Sequence, residues 1–317
     1  MKISNILVTG ACGQIGSVLT EALRYKYGTN SVVASDITES IFTDGTFEHL
    51  DATDYSALEK IVQKYGISQI YHLAAILSAK GEENPVVTWD VNMGSLLNVL
   101  EVSRKHNIGK VFFPSSIAVF GEDAPSFNTP QNAPLNPSTM YGVNKVAAES
   151  LMQYYHKKYK TDIRSLRYPG IIGYQSLPGG GTTDYAVDIY HKAVNHQNFI
   201  CFLKGDTTLP MIYMDDAIRA TMEIMEADSS DIRVRSAYNL AGISFSPEEI
   251  AHSIKVVYPD FQIKYEPDFR QKIADSWPKT IDDSRARQDW GWKPNHNLMD
   301  MTEIMLEKLR IDTKMVL

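Results

Sequence analysis

The stretch NILVTGACGQIG, residues 5–16, carries three signals in succession. Residues 6–8 are apolar and read as a buried strand. Glycines follow at 10, 13 and 16, and Ile15, Leu19 and Leu23 then recur at helical spacing. Strand, glycine turn and helix in that order are what a dinucleotide needs. Glycine lets the backbone turn tightly, approach a pyrophosphate and pack helix on strand. The first N–H groups of the helix then face the phosphates. The expected cofactor loop is Gly10, Gly13 and Gly16, with Gln14 and Ile15 where the helix opens. The next apolar run, SVVASD (31–36), closes on Asp36, 20 positions beyond Gly16. A carboxylate there accepts a hydrogen bond from a ribose 2′-hydroxyl and repels a 2′-phosphate, which favours NAD over NADP.

Working outward, strand-like runs at 46–54, 69–75, 110–116 and 162–170 alternate with helical patterns at 55–65, 89–106 and 141–159. Such alternation predicts βαβ units and an α/β fold, a Rossmann-type doubly wound parallel sheet with right-handed crossovers. From about residue 170 the texture changes. Gly, Pro and Thr cluster in SLPGGGTTDYA (176–186), and later strands at 198–203, 237–242 and 261–267 are short and isolated. The expected division is a cofactor domain over 1–170, with 211–241 returning to it. A smaller α/β cap, over 171–210 and 242–317, would bind substrate.

Composition excludes several classes. The chain has 317 residues, 44% hydrophobic and 22% charged, with a net charge of −7. That balance disfavours nucleic acid and anionic membrane as partners. No run of about 18 apolar residues offers a membrane span. MKISNILVTG passes directly into a strand, with no signal-peptide pattern, so a cytoplasmic location is expected. The two cysteines, Cys12 and Cys201, make neither a disulfide framework nor a metal site, and no metal is expected.

YGVNK (141–145) places Tyr141 and Lys145 at i and i+4, on one helix face. Oxidising an alcohol releases a proton that some group must take near neutral pH. A phenol, with a pKa of about 10, is a poor base there, and a cation one turn away favours the phenolate. A hydroxyl at a neighbouring strand end would steady the developing alkoxide. Ser115 and Ser116 both qualify, but strand alternation lets only one of them face a given side.

Together these motifs resemble the extended short-chain dehydrogenase/reductase family. The resemblance is carried by the glycine loop, Asp36, LDATD (50–54), HLAA (72–75), SSIAVFG (115–121), YGVNK, LRYPGIIG (166–173) and IDDSRARQDWGWKP (281–294). It implies that Tyr141 is the base, Lys145 its tuning cation and ribose contact, and Ser116 the catalytic hydroxyl. It also implies that Asp51 and Ala52 flank the adenine and that Leu73, Ala74 and Ala75 line the cofactor groove. Asn92 would brace the backbone behind the cofactor. Tyr168, Pro169 and Ile171 would pack near the nicotinamide. A homodimer through the helices at 93–106 and 143–158 is a further implication.

Two departures bear on the substrate. Family members that act on nucleotide sugars usually carry Asn where this chain has Gly170, and Arg near Leu209. Without an arginine clamp for a diphosphate, a small unphosphorylated substrate is expected. In the glycine-rich loop, backbone N–H groups near Gly180 and the hydroxyls of Thr182 and Thr183 suit a carboxylate, and Asp184 suits an ammonium. Asp184 could equally cap the following helix. Ser78 and Ser115 are further candidate substrate contacts. The wording of FPSSIAVFG, GGGTTDYA and LPMIYMDDAIRAT resembles the short-chain type of L-threonine 3-dehydrogenase. That implies NAD-dependent oxidation of the threonine 3-hydroxyl to 2-amino-3-oxobutanoate. A nucleotide-sugar epimerase or dehydratase is the alternative within enzymes. A non-catalytic NAD-sensing module is the alternative outside them, and it would have no use for a proton acceptor.

Overall fold

The computed structural model describes residues 5–179 and 181–315, without the side chains of 78–80 and 312–315. The chain begins β1 (Asn5–Thr9), α1 (Gln14–Tyr27), β2 (Val32–Asp36), β3 (Thr46–His49), α2 (Tyr55–Tyr65), β4 (Ile67–His72), α3 (Ser78–Glu83), α4 (Pro85–His106), β5 (Lys110–Phe112), β6 (Ser115–Ser116), α5 (Met140–Tyr159), β7 (Ile163–Arg164) and β8 (Leu166–Tyr168). It continues β9 (Gly170–Ile172), α6 (Tyr185–Val194), β10 (Phe199–Cys201), β11 (Leu209–Tyr213), α7 (Met214–Glu226), β12 (Tyr238–Asn239), β13 (Ile243–Phe245), α8 (Pro247–Val257), β14 (Ile263–Tyr265), α9 (Arg270–Asp275), α10 (Ser284–Trp290) and α11 (Leu298–Met315). Among the described residues no helix is long and apolar enough to cross a membrane.

Two compact units form. The first comprises Met1–Ser116, Thr139–Arg167 and Ile218–Tyr238. Its six-stranded sheet runs β3-β2-β1-β4-β5-β7, all parallel. Order reverses between β1 and β4, so the crevice beyond their carboxyl ends is the place where open α/β sheets bind ligands. The strands are apolar because both faces are covered. Leu7, Val33 and Ile70 stand abreast in register, and α2, α4 and α5 cover them with Leu58, Leu96, Leu100 and Met152. Helix ends are specified locally. Asp54 accepts from Ala57 N at the start of α2, and Thr139 accepts from Gly142 N at the start of α5.

The second unit comprises Ile117–Ser138, Tyr168–Ala217 and Asn239–Leu317. It holds β11 between parallel β9 and antiparallel β13, and a parallel pair β10–β14. Its helices are pinned by buried hydroxyls: Tyr190, Ser253 and Thr302 link α6, α8 and α11 at 2.8 Å. The closing motif has a packing reason. Trp292 is wholly buried, and its indole N–H donates to Asp283 at 3.0 Å.

The run at 162–170 differs from expectation. It forms three short strands in three sheets rather than one, with Arg164 and Arg167 buried in ion pairs. Residues 117–138 also pack with the second unit, tied by Asn128 and Thr129 to Thr280 and Asn239. These links join residues over a hundred positions apart, so local pattern does not reveal them.

The glycine turn at the end of β1 leaves no space for side chains. A Cβ on Gly16 would sit 2.0 Å from the Gly10 carbonyl oxygen, an obstacle that cannot swing aside. Gly94 in α4, by contrast, has nothing within 4 Å of its Cβ position. Gly16→Ala should therefore cost about 1–3 kcal/mol by overpacking. Gly94→Ala should add about 1 kcal/mol by helix propensity. Thermal unfolding midpoints of the two variants should move in opposite directions, and equal midpoints would refute the reading.

Candidate functional site

The cofactor end is built from backbone. Gly10 has φ of +72°, and a Cβ on it would lie 2.6 Å from Ala74 N, so the β1 turn presses directly on the segment after β4. Leu73 N continues the ladder to Thr9 O at 2.9 Å. Helix α1 starts at Gly13 without a side-chain cap, which leaves its N–H groups for an anion. Asp36 lies over this turn: one oxygen accepts from Cys12 N at 2.9 Å, the other from Thr38 N and Oγ1, both at 3.1 Å. Asp51 is turned into its own loop by Thr53, which holds its carboxyl below the usual range. Ala52 is buried, its carbonyl fixed by Asn98 from α4. Asn92 grips Ile76 by both backbone groups, at 2.8 and 3.0 Å, and thereby holds the segment of Ala74 and Ala75 in place.

These residues fit a dinucleotide. The cradle is bare backbone where a pyrophosphate needs close approach, a helix N-terminus faces it, and a carboxylate stands where the adenosine ribose would lie.

The Tyr141–Lys145 face lies on α5, in the same unit. The Tyr141 hydroxyl is hydrogen-bonded to Ser116. Lys145 is 3% exposed, one turn on; its ammonium donates to Pro114 O at 2.6 Å and lies 4.2 Å from the centre of the Phe113 ring. It is 5.3 Å from the Tyr141 ring. Burial pushes the phenol up to about 12, opposed by the Ser116 bond. Burial pulls Lys145 down to about 7, opposed by the charge of Glu149. Desolvation thus drives both groups toward their neutral forms. Ser115, the rival hydroxyl and a candidate substrate contact, is buried and donates to Glu149 at 2.6 Å. Its hydrogen is committed to that carboxylate. His72 is wholly buried and bonds Thr9 Oγ1 at 2.7 Å; burial holds it neutral, down at about 3.

The second unit carries the remaining candidates. A Cβ on Gly170 would meet Met211 Sδ at 2.4 Å and Thr183 Cγ2 at 2.7 Å, so the glycine-rich loop packs onto bare backbone there. Leu209 is wholly buried opposite Phe245 on β13, an apolar position with no place for a charged clamp. Tyr168 and Pro169 are buried, and Ile171 is half-buried. Thr182 is also buried, at 2% exposure. Asp184 accepts from Gly181 N at 2.8 Å, so its carboxylate closes its own loop and makes no side-chain cap on α6. Gly180 and the Ser78 side chain lie outside the described residues.

One element escaped the sequence reading. Glu149 and Arg167 form a buried pair beside the Tyr141–Lys145 face, with Nε and Nη2 at 2.9 and 2.7 Å from the two carboxylate oxygens. The available signal was position: Glu149 follows Lys145 by four residues, as Lys145 follows Tyr141.

The family model for NAD dependent epimerase/dehydratases matches residues 6–241. An uncharacterized epimerase/dehydratase of Staphylococcus aureus strain MRSA252 is 46% identical over 312 residues, covering 97% of each chain. Among solved structures, a GalE-like L-threonine dehydrogenase from Cupriavidus necator, in its holo form, is 51% identical with a TM-score of 0.95, covering 96% of this chain and 99% of that one. A monomeric L-threonine 3-dehydrogenase from a metagenome is 49% identical with a TM-score of 0.93, over 96% and 99%. The cofactor is NAD, and with the matching model over most of its length the chain belongs to the NAD-dependent epimerase/dehydratase family, a group of extended short-chain dehydrogenases/reductases.

Proposed function

We propose that this protein oxidises the 3-hydroxyl of L-threonine, giving 2-amino-3-oxobutanoate and NADH. The observation that carries the substrate class is Gly170. Its missing side chain leaves the space that Thr183 and Met211 fill. An asparagine there, as in enzymes of nucleotide sugars, would collide with both. With buried Leu209 in place of a diphosphate clamp, a small substrate is favoured.

The chemistry follows from groups of the first unit. Ser116 and Tyr141 hold the 3-hydroxyl. Tyr141 accepts its proton as phenolate, and the Lys145 ammonium one turn away stabilises that anion. Bound NAD supplies the hydride acceptor for C3. One hydride and one proton leave the alcohol, so the products balance as ketone, NADH and H⁺. Thr182 and Thr183 of the glycine-rich loop are proposed as substrate contacts, since the Asp184 carboxylate is taken by its own loop.

Threonine with NAD should produce NADH absorbance. Turnover of a nucleotide sugar with none of threonine would overturn the assignment. Tyr141→Phe should lower kcat by about 10²–10⁴-fold with NAD affinity unchanged. Near-normal turnover would remove Tyr141 from the base role. Gly170→Ala should raise KM for threonine, because the loop at Thr183 must shift, and should leave NAD affinity unaltered in the same preparation. Asp36→Ala should weaken NAD binding about tenfold, the worth of a hydrogen bond to a charged group, and narrow the preference over NADP. Fluorescence titration with both dinucleotides measures this, and an unchanged ratio would exclude Asp36 as the discriminating residue.

A further inference from the structure

We propose that Glu149 is a positioning residue for the proton chemistry of Tyr141, its anchored carboxylate holding Lys145 in the ammonium form. The inference rests on the reading above only in taking Tyr141 as the proton acceptor. Tyr141, Lys145 and Glu149 follow one another at i, i+4 and i+8, so phenol, ammonium and carboxylate share one face of α5. Glu149 is 1% exposed and takes three hydrogen bonds, one from Ser115 at 2.6 Å and two from the Arg167 fork at 2.9 and 2.7 Å. Bidentate anchoring fixes the carboxylate so that it cannot swing away.

The strand β6 ties the two ends together. Its two serines both reach α5: Ser116 bonds the Tyr141 hydroxyl and Ser115 bonds Glu149. The helix is therefore registered against the strand at two points, two turns apart. A buried ion pair does little for stability as such, since apolar groups of the same shape often serve as well. What this one supplies is a formal negative charge one turn from Lys145, deep in the unit.

Lys145 needs that charge. Among the described residues, three titratable groups interact with it: Tyr141 and Glu149 from its own helix and His72 from β4. Arg167, on β8, pairs with Glu149. His72 is neutral by burial, and its nearness to Lys145 lowers it further. Both Arg167 donors named above are occupied by Glu149. Glu149 is the neighbour whose charge raises Lys145 against burial. Because it stands closer along the helix to Lys145 than to Tyr141, it favours the phenolate–ammonium arrangement over phenol–amine. Removing its charge while keeping its shape shifts the shared proton toward the phenol. The pair as a whole then loses a proton at lower pH.

The test compares Glu149→Gln with Glu149→Asp. The primary readout is the pH titration of the Lys145 ¹³Cε NMR signal in protein carrying labelled lysine, without threonine, assigned by its loss in Lys145→Arg. The midpoint should fall by about one pH unit in E149Q and stay at the wild-type value in E149D. In turnover, E149Q should show a lower plateau of kcat with its acid limb moved to lower pH, whereas a merely loosened site would lower the plateau and leave the limb in place. If E149Q does not fold, the double variant E149Q/R167M, which also removes the opposing guanidinium charge, should shift the midpoint in the same direction by a smaller amount. An unmoved Lys145 midpoint in whichever variant folds overturns the proposal. If the midpoint shifts but threonine is not oxidised, the substrate assignment fails and the role of Glu149 stands. If threonine is oxidised and the midpoint does not move, the reverse holds.

Discussion

The rest of the first unit depends on two backbone contacts at Gly10 that tolerate no side chain. The Gly10 carbonyl lies where a Cβ of Gly16 would be, and Gly10 itself presses on Ala74. The first contact seats α1 on the end of β1 and turns its free N–H groups outward. The second brings the ends of β1 and β4 together at the point where strand order reverses. Asn92 then clips the segment after β4 to α4. Helix α4 packs on α5, which carries Tyr141 and Lys145. The glycine cradle and the Tyr141–Lys145 face are thus two ends of one packed chain of contacts.

That sequence of dependence explains what could be read in advance. The glycine loop was legible because close approach leaves only one residue type at each position, at fixed spacing. Asp36 was legible because it ends β2, which pairs with the strand just before it, in register from Leu7 and Val33 onward. The rivalry of Ser115 and Ser116 was legible as a rivalry, although alternation does not separate them, because both bond side chains of α5. Its outcome was not, because Ser115 turns to a carboxylate 34 positions away.

The Glu149–Arg167 pair was illegible for a different reason. On a helix wheel Glu149 looks like one more exposed acid, and Arg167 lies in a run that periodicity assigns to a single strand. Their burial is decided by tertiary placement: the run breaks into β7, β8 and β9, and β8 brings Arg167 under α5. Asp184 shows the converse. Its neighbours in sequence, glycines and threonines, suggested a substrate contact, yet the carboxylate is held by Gly181 three residues earlier. A short flexible loop lets a side chain bond its own backbone before anything else competes for it.

Burial acts on Tyr141 and Lys145 in opposite directions on the pKa scale, up to about 12 and down to about 7. In both cases it removes charge. A phenolate next to an ammonium is therefore not what a dry pocket alone produces. Each charge needs a polar neighbour to hold it, and the two neighbours are different: Ser116 for the phenol, Glu149 for the amine. The two supports enter the site from the two consecutive residues of β6, one acting directly and the other through a carboxylate. The same short strand therefore holds both the Tyr141 hydroxyl and the carboxylate beside Lys145. A small displacement of β6 against α5 would disturb both at once, which makes that register, rather than either residue alone, the sensitive coordinate of the site.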